Sequence, residues 1–301
     1  MDKTDMSLIM LFSANSRLSF AELAKKLNLS VNAVHKRTQI LIETGVIRKF
    51  TAKVSLLSLN PIIVFISGIS QLGSFQNLPE KMKINGSIYW FAEGGGKFVY
   101  IGAYLSTLNE LSSLLEFVKE EAKIPEPTTS IMAPTPQSTL NPKYTCPTLC
   151  ELDYKIIRSL KDNSRKNISD VASEVRLSAK TVRRRLTRMT KNNLIDLGIE
   201  WYPDKSNDIM TLLNLHLKPE ADMNSVPYQV LRKYAPNTLF YWSFINVPKS
   251  VTYMVWTNNM NELQSIREAI EKEPAVSSVV LNILYSGFIF DTWRDKLVEK
   301  F

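Results

Sequence analysis

Cysteine and histidine are close to absent, with two of each in 301 residues. Cys146 and Cys150 form a single CxxxC, too little for a disulfide framework or a four-ligand zinc site, and they read as two incidental thiols. His35 and His216 lie far apart in sequence, so no metal site is expected. No apolar run approaches the roughly 20 residues that a spanning helix needs. The apolar stretch "SLIMLFSA" follows Asp2 and Asp5 where a secretory leader would carry basic residues, so the expectation is a cytoplasmic protein without a membrane partner. Acidic residues are also short, 29 against 37 Lys and Arg, which leaves a formal charge of +8 and points to a polyanionic partner. The imbalance is local. Residues 151 to 200 hold twelve Lys or Arg against seven Asp or Glu, while residues 251 to 301 hold five against seven.

What the chain does contain is itself, twice. Residues 5–17, "DMSLIMLFSANSR", lie over 153–165, "DYKIIRSLKDNSR", at an offset of 148. At the same offset and without a gap, "LSVNAVHKRTQILIE" (29–43) lies over "LSAKTVRRRLTRMTK" (177–191). After a four-residue insertion "LNELSSLLEFVKEE", from Leu108, lies over "MNELQSIREAIEKE", from Met260, and "IYW" (88–90) over "FYW" (240–242). The unit is roughly 145 residues long, and the copies join near the Pro-rich "PEPTTSIMAPTPQSTLNPKYTCP", whose "TTSIMA" reads as a strand.

The first third of each copy has helical spacing: Leu8, Leu11 and Phe12, then Phe20, Leu23, Ala24 and Leu27, then Val34, Leu41 and Ile42. Ser19 with Glu22 forms a capping box for the second helix, and Ser30 and Ser178 are placed to cap the third. Only Leu-Ser separates helices two and three, which forces the sharp crossing of a helix-turn-helix. "GVIRKFTAKVSL" then reads as a turn and a β-wing, with Arg48, Lys49 and Lys53 available to phosphates.

Beyond it the period changes. Copy one predicts strand 62–69, helix 75–84, strands 87–92 and 97–104, helix 107–122 and strand 128–133. Copy two predicts strand 209–217, helix 226–234, strands 238–245 and 250–257, helix 260–272 and strand 277–285. The order βαββαβ makes a ferredoxin-like sheet covered on one face by two helices. Its other face, read as rich in Tyr89, Phe91, Phe98 and Tyr100 in copy one and Phe240, Trp242, Tyr253 and Val255 in copy two, needs a cover, and alternation alone does not decide which set points outward. Stacking the two sheet domains within one chain as a pseudo-dimer, or pairing across two chains, would supply it; the first is favoured on geometry, with further homo-oligomerisation expected. "GFIFDTWRDKLVEKF" reads as an extra amphipathic helix suited to an interface.

The fold class is therefore α+β, two copies of a winged helix-turn-helix followed by a ferredoxin-like domain. The boundaries are 1–55 and 56–135, a linker at 136–148, then 149–203 and 204–301. Through "LDYKIIRSL", "ISDVASEVRLSAKTVRRRLTRM" and "NNLI" in copy two, and "FAELAKKLNLSVNAVHKR" and "ETGVIRKFTA" in copy one, the chain resembles the Lrp/AsnC family of regulators. The resemblance covers nearly all of each copy. It implies a double-stranded DNA partner, pairing through the sheet domains and, in many members, a small-molecule effector.

In copy two, Val182, Leu186 and Met189 form the inward stripe of the third helix. Lys180, Thr181, Arg183, Arg184, Thr187, Arg188 and Lys191 remain for DNA, with the amino-terminal members best placed for bases. Arg185 borders the stripe and suits an ion pair with the first helix as well as it suits DNA. Copy one offers Asn32, His35, Lys36 and Gln39, with Arg48 and Lys49 on the following strand. The family's effector pattern, Gly-x-x-Asp, has no full counterpart: copy one reads Gly94-Gly95-Gly96-Lys97 and copy two "INVPKSVTY", so an amino-acid ammonium finds no carboxylate there. Gly94, Gly95 and Gly96 are the weak effector candidates, and a plain hairpin turn is their simpler reading.

Two other classes compete. Siroheme decarboxylases resemble this family in architecture, but their chemistry calls for histidines around a tetrapyrrole, and only His216 lies in a sheet domain here. No nucleophile-base or paired-carboxylate arrangement emerges, so neither enzymatic activity nor a cofactor is expected. The third class is an interaction module that does not bind DNA.

Overall fold

The computed structural model describes residues 1–133 and 148–301, so Cys146 and most of the expected linker lie outside the described residues. The chain folds as two compact units, each drawing on both copies: Met1–Lys3, Pro61–Leu140 and Ser206–Phe290 in one, Thr4–Asn60, Asn141–Lys205 and Asp291–Phe301 in the other.

The second unit holds both helix-turn-helix segments. In copy one the helices are Lys3–Ala14, Phe20–Leu27 and Val31–Glu43; in copy two they are Glu151–Leu160, Ile168–Glu174 and Ala179–Lys191. Capping follows the sequence signals. Ser19 accepts from the Glu22 backbone N–H while Glu22 reaches back to Ser19, and the Ser30 and Ser178 hydroxyls accept from the N–H groups of Ala33 and Thr181. The apolar stripes close the trihelical cores, with Leu8, Ile9, Phe12, Leu23 and Val34 fully buried in copy one and Ile156, Ile157, Val171, Val182 and Met189 in copy two.

The strand after each third helix finds its partner in the other copy. Strand β1 (Ile47–Val54) pairs antiparallel with β6 (Ile195–Trp201), matching Phe50 with Ile199 and Thr51 with Gly198. Adding the offset of 148 turns Phe50 into position 198 and Thr51 into 199, so these two pairs exchange under a local two-fold. The same symmetry puts the Ser16 and Ser164 hydroxyls 2.6 Å apart. Arg165 donates to the carbonyls of Ser16 and Leu18, and Arg17 donates to those of Ser164 and Lys166.

Residues 291–301 break that symmetry. Only Trp293–Lys296 is α-helical and Leu297–Lys300 is a 3₁₀ turn, in place of the longer amphipathic helix expected. The segment lies in the helix-turn-helix unit. Arg294 donates to the Val54 carbonyl and pairs with Asp196, Asp295 pairs with Lys53 at 2.7 Å, and Val298 enters the core of copy two. Burial pushes the Asp295 carboxyl up, but the Lys53 charge, the Thr292 N–H and Arg294 outweigh it and hold it below the ordinary aspartate value. A lowered folded pKa stabilises the fold above the unfolded value, near 4, and that contribution disappears as pH falls through the folded one. Thermal stability followed by circular dichroism is therefore expected to drop below about pH 4, and less steeply in an Asp295→Asn variant.

The other unit is a single sheet. Copy one supplies β2 (Ile62–Ile69), β3 (Ile88–Gly94), β4 (Phe98–Leu105) and β5 (Thr128–Ile131). Copy two supplies β7 (Ile209–Leu217), β8 (Thr238–Ser243), β9 (Ser250–Thr257) and β10 (Val276–Ile289). The order β5-β2-β4-β3-β10-β7-β9-β8 repeats one half-sheet twice and joins the halves where Leu284–Ile289 of β10 pairs with Trp90–Gly94 of β3. "GFI" is thus strand, and Phe288 and the following Phe290 pack into the core of copy one. The outer edges meet as well: Met132 bridges Phe244, and the Ala133 N–H donates to the Ser243 carbonyl at 2.8 Å.

Helices Leu78–Ile84 and Glu110–Ala122 cover one half-sheet, and Val226–Lys233 and Met260–Glu271 the other. On the opposite face Trp90, Phe98 and Tyr100 of copy one meet Leu212, Trp242, Met254 and Leu284 of copy two. The covered face therefore differs from the expected set. A register shift between Ile88 and Trp90 sends Phe91 to the helix side, and Tyr253 and Val255 also point to the helices.

Candidate nucleic-acid interface

Each third helix is a two-sided object. In copy two Val182 and Met189 are fully buried and Leu186 nearly so, which fixes the rotation of the helix and leaves Lys180, Arg183, Arg184, Thr187 and Lys191 exposed. None of the four cations in that set has an acidic partner among the described residues, so the face keeps its full positive charge. Thr181 is half-buried, its hydroxyl 2.9 Å from that of Ser178 at the cap.

Arg188 is placed differently from the expectation that grouped it with the DNA residues. It is half-buried and ion-paired with Asp153, whose carboxylate also accepts from Arg185 at 3.1 Å. Asp153 is fully buried. Burial pushes its carboxyl up, yet the Cys150 N–H, the Arg185 hydrogen bond and the Arg188 charge bring it below the ordinary value. Copy one repeats half of this clamp, since Arg37 meets Asp5 at 2.7 Å. Sequence reasoning expected the Arg185 pairing but did not name Asp153; the aligned acids Asp5 and Asp153, opposite the aligned Arg37 and Arg185, were the available signal.

In copy one Asn32, His35, Lys36 and Gln39 are all exposed. His35 sits edge-on to the Phe20 ring at 5.1 Å, and Gln39 donates to Glu43. Arg48 is exposed and lies over the Tyr202 ring. Lys49 and Lys53, expected to be free for phosphates, are held by acids: Lys49 by Asp162 at 3.0 Å and Glu200 at 3.2 Å, Lys53 by Asp295. Burial lowers the Lys49 pKa, but its two carboxylate partners outweigh this and raise it above the ordinary lysine value. The pairing of β1 with β6 brings Glu200 opposite Lys49, which no local pattern announces.

Gly94 and Gly96 have local reasons to be glycine. A Cβ on Gly94 would meet Asn282 Oδ1 at 2.2 Å, the Gly95 N–H donates to that same oxygen, and Gly96 has φ +66°. No group of three or more His, Cys, Asp or Glu that could hold a metal is found among the described residues. No helix among the described residues is long and apolar enough to cross a membrane.

The winged helix-turn-helix DNA-binding family matches residues 1–48 and 151–196, one match per copy, which is the class that the two trihelical cores and their following strands define. The transcriptional regulator LrpA of Pyrococcus horikoshii is 35% identical over 68 residues, 23% of this chain and 48% of that protein. The regulator LysM of Sulfurisphaera tokodaii is 27% identical over 112 residues, 36% of this chain and 80% of that protein. The chain spans about half the length of most of the curated relatives it matches. In fold it is similar to the siroheme decarboxylase NirDL, with a TM-score of 0.62 and 12% identity, over 99% of this chain and 98% of that one. The chain is thus similar to Lrp/AsnC-type regulators over part of its length, with one helix-turn-helix match in each copy.

Proposed function

We propose that this protein is a sequence-specific double-stranded DNA-binding transcription regulator whose two heads read unlike half-sites. The observation that carries this is the difference between the two exposed third-helix faces. Copy two presents Lys180, Arg183, Arg184 and Lys191 without acidic partners among the described residues, while copy one presents Asn32, His35, Lys36 and Gln39. Arginine forks suit guanine and phosphate, whereas Asn and Gln suit adenine, so the heads differ in preferred base and in backbone attraction. The joined half-sheets support an intramolecular pseudo-dimer as the reading unit. Selection from a randomised duplex library is expected to enrich one asymmetric site, where identical heads would enrich a palindrome. Absence of any enriched sequence overturns the reading in favour of an interaction module.

A second reading, a tetrapyrrole-processing enzyme, draws on the fold likeness to NirDL over nearly the whole chain. Its histidine supply here is thin: His216 is exposed on β7 and His35 belongs to the other unit. A new Soret band on mixing the protein with an iron uroporphyrin would favour it over the regulator.

A further inference from the structure

A cleft of about 690 Å³ opens in the helix-turn-helix of copy two, between its first helix, the end of its second and Phe301. Four cations and two acids line it. The acids are already engaged: Asp162 faces Lys49 at 3.0 Å, and Glu174 takes Lys166 at 2.8 Å together with the Ser159 hydroxyl. Lys155 is paired with Glu151. That leaves Arg158 and Arg176, both exposed and without an acidic partner among the described residues.

The duplication provides an internal control. At the offset of 148, Arg158 corresponds to Met10, Arg176 to Asn28, Lys155 to Ser7 and Lys166 to Leu18. Copy one builds the same three helices with none of these cations, so the fold does not demand them. Arg176 is the sharper case. It sits at φ +54°, as Asn28 does at +55°, a left-handed conformation that asparagine tolerates far better than arginine.

Two uncompensated guanidinium groups match the paired oxygens of a phosphate, and the volume falls within the range of small-molecule sites. Phe301, whose ring stacks on Tyr154 at 4.4 Å, and Val175 supply an apolar wall. We propose that this cleft binds a small organophosphate, its phosphate held by Arg158 and Arg176 and its apolar part against Phe301 and Val175. None of the residues lining the cleft belongs to the exposed set on the third helix, and both arginines occur in copy two alone.

The test uses the full chain, calorimetric titration and two probes, phenyl phosphate and inorganic phosphate. Phenyl phosphate is expected to bind saturably at one site, about tenfold tighter than inorganic phosphate because of its ring. The double variant Arg158→Met, Arg176→Asn installs the residues of copy one, so it is expected to fold and to weaken phenyl phosphate at least about tenfold. Absence of saturable binding, or equal binding by the double variant, overturns the proposal. Retained phenyl phosphate binding with lost duplex affinity also overturns it, assigning these arginines to the DNA interface. Duplex affinity measured on the same samples keeps this result separate from the test of DNA reading.

Discussion

Replacing Arg183 and Arg184 together by alanine is expected to lower duplex affinity about a hundredfold at moderate salt. Two mechanisms contribute and can be told apart. If both arginines neutralise phosphates, the plot of log K against log salt flattens by nearly two units, because each released counterion contributes about 0.9. If they grip guanine edges, the loss concentrates on the preferred sequence and specificity relaxes at the contacted positions. The paired variant His35→Ala, Lys36→Ala removes one full charge and is expected to cost about tenfold, with a salt slope lower by about one. Fluorescence anisotropy across a salt series reads all of these. An Arg183→Ala, Arg184→Ala protein that binds as wild type does would remove the third helix of copy two from the interface.

Asp153→Ala is expected to cost the helix-turn-helix unit about 3 kcal/mol in urea denaturation. The carboxylate is fully buried, it accepts the Cys150 N–H at the start of its helix, and it neutralises Arg185 and Arg188. Removing one side of a buried pair costs about 3–5 kcal/mol; the lower end applies because both arginines keep some contact with water. Asp5→Ala, which removes the acid facing Arg37, is expected to cost about 1 kcal/mol. The folded fraction of the Asp153 variant should also bind duplex more tightly than wild type, because Arg188 is released on the third helix. Unchanged stability would mean that this clamp contributes nothing to the fold.

Strand β7 and strand β9 were legible to the residue, since alternation along one segment is a local property. So were the helix caps, where a serine and its third neighbour carry the whole signal. Pairing between distant segments was not legible. Nothing in "IRKFTAKV" names "IDLGIEW" as its partner, and nothing in "GFI" names the edge of β3, yet these pairings decide that Lys49 is neutralised and that Phe288 is core. The irregularity at Ile88/Trp90 exchanges the two faces of β3 and defeats simple alternation. On the third helix of copy two the limit was of another kind. Arg184 and Arg188 look alike in sequence, and only the buried carboxylate on the neighbouring helix separates the exposed one from the clamped one.

The contact between Ser16 and Ser164 has a further meaning for how such a chain changes over generations. In an assembly of identical subunits a residue on the two-fold axis faces itself, so any replacement arrives twice and must suit its own reflection. Here the two serines belong to separate codons, and one can be altered while the other stays. The covalent link also keeps the halves together at any dilution, since their encounter is intramolecular. One half can therefore change at this contact while its twin keeps the original residue.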